Sequence, residues 1–173
     1  MTKTIRVANA VEAIPPGSTL MIGGFMGVGS PIRLIDELVR QGKNDLTIIA
    51  NDTARPGVAI GKLIVARLVR KIITSHIGTN PETQRQMLAG ELEVELVPQG
   101  TLAERIRAGG HGLGGVLTPT GVGTTVERGG KFRGKLRNVD MGRTDYGHFS
   151  LTTAPSIQEQ IMKDILAANS SCR

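Results

Sequence analysis

At 173 residues, 39% of them hydrophobic, and with a mean hydropathy of −0.03, the chain has the size and composition of one soluble globular domain plus a tail. Aromatic residues make up only 2% and tryptophan is absent, which leaves little from which to build base-stacking platforms and argues against single-stranded nucleic acid as a ligand. The net charge of +6 is diffuse: residues 1–130 carry 14 Lys and Arg against 11 Asp and Glu, and residues 131–173 carry 7 against 4, a spread that fits a solvated surface or an attraction for anionic substrates better than a nucleic-acid footprint.

Residues 1–6 lack the apolar run of a secretory signal, and no apolar stretch reaches the roughly 18 residues that span a bilayer, so the expected location is the cytoplasm, with no membrane contact. Residues 19–22 read as a short buried strand. The strand breaks into Gly23-Gly24-Phe25-Met26-Gly27-Val28-Gly29-Ser30-Pro31, a glycine loop directly ahead of a helix start. Glycines there allow positive φ and close approach of a ligand, while free amides and the positive end of the helix dipole favour a negatively charged or carbonyl oxygen. Residues 31–41 read as that helix: Ser30 can cap it, Pro31 fits its first turn, Ile32, Ile35, Leu38 and Val39 share an apolar face, and Gly42 suits its stop. With a second strand at 46–50 the pattern is a βαβ unit, which builds a parallel sheet with its ligands at the carboxyl ends of the strands.

The alternation continues through a short helix at 60–66, a strand at 69–75, a helix at 81–89 that begins after Asn80, and a strand at 92–97 in which Leu92, Val94 and Leu96 alternate with Glu93 and Glu95. A further helix is predicted at 101–108, with Leu102 and Ile106 four apart. The fold class is therefore α/β, an open, mostly parallel sheet with flanking helices. Ten glycines fall between positions 100 and 130, with Leu113, Val116, Leu117 and Val122 spaced among them, which predicts a folded, functionally shaped loop region. Residues 1–130 form the expected α/β domain and residues 131–173 an atypical basic tail: 131–148 is polar and glycine-interrupted with no convincing strand, and 156–168 has helical spacing through Ile157, Ile161, Ile165 and Leu166. The lone Cys172 excludes an intrachain disulfide and a Cys-rich metal site, and no other cluster has metal-ligand spacing.

Several segments together resemble the family I coenzyme A transferases, specifically the alpha (A) subunit of the acetate or butyrate:acetoacetate enzymes. They are Leu20-Met21-Ile22-Gly23-Gly24-Phe25-Met26-Gly27-Val28-Gly29-Ser30-Pro31, Asn51-Asp52-Thr53, Ser75-His76-Ile77-Gly78-Thr79-Asn80-Pro81, the run from Gly90 to Gly110 that contains Val97-Pro98-Gln99-Gly100-Thr101, and Leu117-Thr118-Pro119-Thr120-Gly121-Val122-Gly123-Thr124. The likeness covers about the first 130 residues in order. Two departures stand out: Pro16 replaces the usual Asp or Asn before Gly17, and the family's final third is not recognisable in residues 132–173.

The resemblance implies reversible transfer of coenzyme A from an acyl-CoA to a short-chain carboxylate such as acetate, acetoacetate or butyrate. It implies a ping-pong route through a glutamyl-CoA thioester whose glutamate lies on a separate beta subunit, so that no catalytic nucleophile is expected in this chain. It also implies an α2β2 heterotetramer, with CoA or acyl-CoA as substrate and no permanently bound cofactor. Gly23, Gly24, Phe25, Met26, Gly27, Val28 and Gly29 become the expected CoA-binding loop; without a ligand the same spacing describes a tight strand-to-helix turn. Asn51 and Gln99, each just past a predicted strand, become the expected oxyanion or substrate donors; otherwise they cap turns. His76 and His111 lack a carboxylate placed to orient them and read as structural or exposed. Glu91, Glu93, Glu95, Glu104, Arg105 and Arg107 read as solvated faces. The competing functions are a ligand-binding regulator or an inactive remnant on the same fold and, more remotely, a sugar-phosphate isomerase, which would need a base near the loop.

Overall fold

The four strands pair side by side in the order in which they are made. β1 (Thr19–Met21), β2 (Leu46–Asp52), β3 (Val69–His76) and β4 (Glu93–Leu96) form one sheet in the order β1-β2-β3-β4, and every pairing is parallel. The computed structural model describes residues 4–113, 115–116, 118, 120–121 and 124, and the backbone of 141–143 and 150–153. The chain divides into two compact units, Met1–Leu102 and Ala103–Arg173.

In the first unit the crossovers are α2 (Ile32–Arg40), α3 (Ile60–Val65) and α4 (Pro81–Leu88). Successive right-handed crossovers that advance in one direction put their helices on the same face of a sheet, and α2 packs on α3 and α3 on α4. The row Leu20, Ile48, Ile72 and Val94 runs across the four strands in register. It joins Ile35 and Leu38 of α2 and Ile60, Leu63 and Ile64 of α3 in one core. Pleating sends the intervening residues, Thr47, Ile49 and Asn51 on β2 and Lys71, Ile73 and Ser75 on β3, to the opposite face.

All three crossover helices end in the same way. The amides of Gly42 and Lys43 bond the carbonyls of Val39 and Leu38, those of Arg67 and Leu68 bond Ile64 and Leu63, and those of Gly90 and Glu91 bond Met87 and Gln86. These paired bonds satisfy carbonyls that the helices leave open and require a positive φ just past each C-cap, 63° at Gly42, 56° at Arg67 and 70° at Gly90. Asn80 caps α4 as expected, accepting from the amides of Glu82 and Thr83 at 3.2 Å each.

The structure corrects the sequence reading at several element boundaries. A helix α1 (Val7–Glu12) precedes β1; at six residues with a single buried apolar position, Val11, it is too short to show a period. It is held from outside, because Gln41 Nε2 donates to the Ala8 carbonyl at 2.9 Å and Lys43 Nζ to the Glu12 carbonyl at 3.0 Å. On α2 the apolar face is narrower than expected, with Ile35 and Leu38 buried and Ile32 38% exposed. Strand β2 runs on to Asp52. Helix α5 spans Gln99–Gly110 and so absorbs three glycines, Gly100, Gly109 and Gly110, that composition assigned to loop.

In the second unit Glu104 and Arg107 pair across one turn of α5. Beyond it the Thr120 amide bonds Thr118 Oγ1 and Thr124 Oγ1 bonds the Gly121 carbonyl, two local turns. The tail reading missed a two-stranded antiparallel pair, β5 (Met141–Arg143) with β6 (Ser150–Thr153). Strands of three and four residues carry too little alternation to register as a pattern. The helix expected at 156–168 lies outside the described residues.

Candidate functional site

The glycine loop folds into a two-residue hairpin at the carboxyl end of β1. Phe25 and Val28 exchange backbone hydrogen bonds of 3.0 and 2.9 Å around Met26 and Gly27, whose φ values are 54° and 89°, the two positive-φ positions that tight hairpin turns demand. Gly24 is bound to be glycine. Its φ is 109°, and a Cβ there would lie 2.3 Å from Ser30 Oγ and 2.8 Å from the Ser30 amide nitrogen. Ser30 does not cap α2, as the sequence suggested. Its hydroxyl donates to the Gly23 carbonyl at 3.1 Å and closes the loop, while Pro31 takes the N-cap position with no side-chain cap.

The hairpin rests on the segment that follows β2. A Cβ on Gly27 would come within 2.8 Å of Val58 Cγ1. That bed is itself tightly wound, with Ala54 at φ 53° and Ala59 at φ 44°, and Gly61 passes so close beneath it that a Cβ would meet the Arg55 carbonyl oxygen at 1.9 Å.

Asn51 and Gln99 meet at this hairpin. Gln99 Nε2 donates to Asn51 Oδ1 at 2.7 Å, and Asn51 Nδ2 donates to the Gly24 carbonyl at 2.8 Å. One continuous chain of hydrogen bonds thus links the first residue of α5, the end of β2 and the base of the glycine hairpin. The amides of Phe25, Met26 and Val28 are satisfied within the chain. Among the described residues those of Gly23, Gly24, Gly27 and Gly29 have no backbone partner. Phe25 and Val28 instead present apolar side chains, 57% and 79% exposed.

Two residues that the sequence reading did not single out support this arrangement. Ser75 Oγ donates to the Asn51 carbonyl at 2.6 Å from the neighbouring strand. Asp52, only 2% exposed, accepts the Met26 amide at 3.0 Å and the Ala54 amide at 3.1 Å through its Oδ2. The available signal was a polar run, Asn51-Asp52-Thr53, closing an otherwise apolar strand. His76 ends β3 exposed, its ring over Gly78, where a Cβ would lie 2.8 Å from His76 Cε1, a packing role.

The strongest electrostatic perturbations belong to surface pairs. The Arg40 guanidinium, then the Gln41 amide, hold the Glu37 carboxyl down at about 2, and Arg85 with Gln86 does the same to Glu82, also at about 2. The hydrogen bond that Lys71 Nζ donates to Glu93 Oε1 raises the pKa of Lys71, and Arg85 and Arg67 both pair with Glu91. Among the described residues no group of three or more His, Cys, Asp or Glu is placed to hold a metal ion, and no helix is long and apolar enough to cross a membrane.

A wholly parallel sheet with a glycine hairpin and two carboxamides gathered at the carboxyl ends of its strands defines an α/β protein of the kind that receives ligands at that end. The coenzyme A transferase family model matches residues 4–146, and the chain belongs to that family. It is 59% identical over 128 residues to the acetate CoA-transferase subunit alpha of Escherichia coli (strain K12), an alignment covering 74% of this chain and 58% of that protein. It is 55% identical over 130 residues to the acetoacetyl-CoA:acetate/butyrate CoA transferase alpha subunit of Clostridium acetobutylicum, covering 75% of this chain and 60% of that one. The chain thus spans less than two thirds of the length of these relatives. Its fold is similar to that of an acyl-CoA transferase from E. coli O157:H7 solved as a thioester complex with CoA, with a TM-score of 0.65, 24% identity, and coverage of 83% of this chain and 30% of that one.

Proposed function

We propose that this chain is the alpha-type half of a two-subunit enzyme that reversibly moves CoA from a short-chain acyl-CoA to acetate, acetoacetate or butyrate. The partner supplies a glutamate. Its carboxylate attacks the acyl-CoA carbonyl and expels CoA thiolate, leaving a mixed anhydride. The thiolate then attacks the glutamyl carbonyl and releases the first carboxylate, which leaves a glutamyl-CoA thioester. A second carboxylate runs the same steps backwards and leaves as the new acyl-CoA.

Both attacks place negative charge on a carbonyl oxygen, and this chain's part is to receive it. The observation that carries the reading is the hydrogen-bonded chain from Gln99 through Asn51 to Gly24. A primary carboxamide has two N–H donors, so Gln99 and Asn51, each with one engaged, each keep a second for a ligand oxygen. The amides of Gly23, Gly24, Gly27 and Gly29 add further donors on a hairpin that is already folded, which is the preorganisation such stabilisation requires. The exposed Phe25 and Val28, with the half-buried Met26 between them, offer apolar contact to the CoA arm. The assembly is α2β2 and cytoplasmic, CoA enters as substrate with no resident cofactor, and residues 1–130 carry the transferase domain with 131–173 as its tail.

The test is co-expression with a beta-type subunit that carries the glutamate, followed by an assay of CoA exchange between acetoacetyl-CoA and acetate. The complex should turn over, the partner should gain the mass of a CoA adduct on its glutamate, and the single chain should be inactive. Enzyme-like exchange by the single chain would refute the subunit assignment. Acyl-CoA binding by a complex that never forms the adduct would favour the regulator.

A further inference from the structure

We infer that Asp52 is a positioning residue whose buried carboxylate oxygen latches the tip of the glycine hairpin in its ligand-ready shape; the inference rests on the transferase reading for what the hairpin does, and on geometry alone for the latch. A carboxylate 2% exposed is ordinarily matched by a cation. Among the described residues none pairs with Asp52. Its partners are two backbone amides, both taken by the same atom, Oδ2.

Those two amides belong to Met26 and Ala54, whose φ values are 54° and 53°, conformations that L residues with a side chain avoid. A single oxygen therefore holds a strained residue on the hairpin and a strained residue on the segment beneath it. The neighbouring residue completes the grip. Pleating sends Asn51 and Asp52 to opposite faces of β2, so that Asn51 Nδ2 holds the base of the hairpin at the Gly24 carbonyl while Asp52 Oδ2 holds its tip at the Met26 amide. Without the Asp52 bond Met26 can relax to negative φ, the two-residue turn opens, and the amides of Gly24 and Gly27 lose their fixed direction.

The oxygen, not the charge, is what the geometry uses, and this separates the latch from any acid or base role. In the full complex with a beta-type subunit, Asp52→Ala should lower kcat by about 100-fold with KM within about threefold, the pattern of misaligned groups that act on the transition state. Asp52→Asn keeps an acceptor oxygen and should recover to within about fivefold of wild type. In the full single chain, Asp52→Ala should speed hydrogen exchange at the Met26 and Val28 amides by about tenfold or more and leave those of β2 and β3 unchanged, while Asp52→Asn should not. Wild-type kcat in Asp52→Ala, Asp52→Asn as slow as Asp52→Ala, or unaltered exchange at the hairpin would overturn the latch. A wild-type complex without any transfer would retire the transferase reading instead, and the exchange comparison would still decide the latch.

Discussion

The two ends of the parallel sheet are built by different means. At the amino end, each crossover helix terminates in paired backbone bonds, and the loops that lead into β2, β3 and β4 contribute Asp45, Arg67 and Glu91 to exposed ion pairs, Asp45 with Arg70 of β3 and Glu91 with both Arg67 and Arg85 of α4. At the carboxyl end the stabilising contacts are hydrogen bonds between side chains and backbone, several of them buried or half-buried, around Gly24, Met26, Asn51 and Ala54. Positive φ occurs at both ends, but differs in kind. Arg67 sits in an ordinary left-handed helix stop, whereas Ala59 combines φ 44° with ψ −125°, a region comfortable only for glycine. Strain that the surrounding structure over-determines thus collects at the carboxyl end, where the proposed ligand would be met, and exposed ion pairs collect at the other.

The sharpest way to break this contrast is Gly61→Ala. The new methyl would meet the Arg55 carbonyl oxygen at 1.9 Å, a backbone atom with no rotamer to yield, so the bed beneath the hairpin must move. A loss of about 3 kcal/mol in urea unfolding is expected, against little change for an alanine at the open Gly42 beyond the strain of its φ. Ala59→Gly should act in the opposite sense. It relieves a disallowed conformation at the cost of added chain entropy, for a net gain of about 1 kcal/mol in the same measurement, with no gain in transfer rate.

The smallest effect belongs to an exposed surface pair at the start of α4 and depends on pH. Glu82 has its carboxyl lowered from 4.5 to about 2, first by Arg85 and then by Gln86. Its contribution to stability is therefore fully present above about pH 5 and is lost as the pH falls through the folded value. Acid titration followed by circular dichroism should show wild type losing stability more steeply than Glu82→Gln between pH 5 and 2. The difference should shrink in high salt, as it does for exposed pairs.

Most of the fold was legible in the sequence because buried parallel strands and amphipathic crossovers leave strong periodic traces, as at 46–50, 69–75 and 31–41. Asn80 as cap and Gly42 as stop were legible for the same reason: each residue type answers one backbone need. The residues that the sequence singled out, Gly23 to Gly29 with Asn51 and Gln99, come together in one hydrogen-bonded cluster, but how that cluster is held was not legible. Ser30 looked like a helix cap because its neighbours are helical, and only the folded loop reveals the Gly23 carbonyl as its partner. Asp52 was hidden more deeply. Its contacts are with main-chain amides at Met26 and Ala54, and no side-chain pattern records which amides a carboxylate will find. The short α1 and the β5 and β6 pair fall below the length at which any period is visible.

The sequential strand order has a consequence for how the molecule comes into being. Each strand of the sheet pairs with the one synthesised just before it, so the first unit needs no late segment threaded between earlier ones, and its topology favours assembly in step with translation. The glycine hairpin is the exception within that order. It emerges before Asn51 and Asp52 and can take its folded shape only after β2 has arrived to grip it, which makes the proposed binding end a late addition to a scaffold that its own chain has begun to lay down.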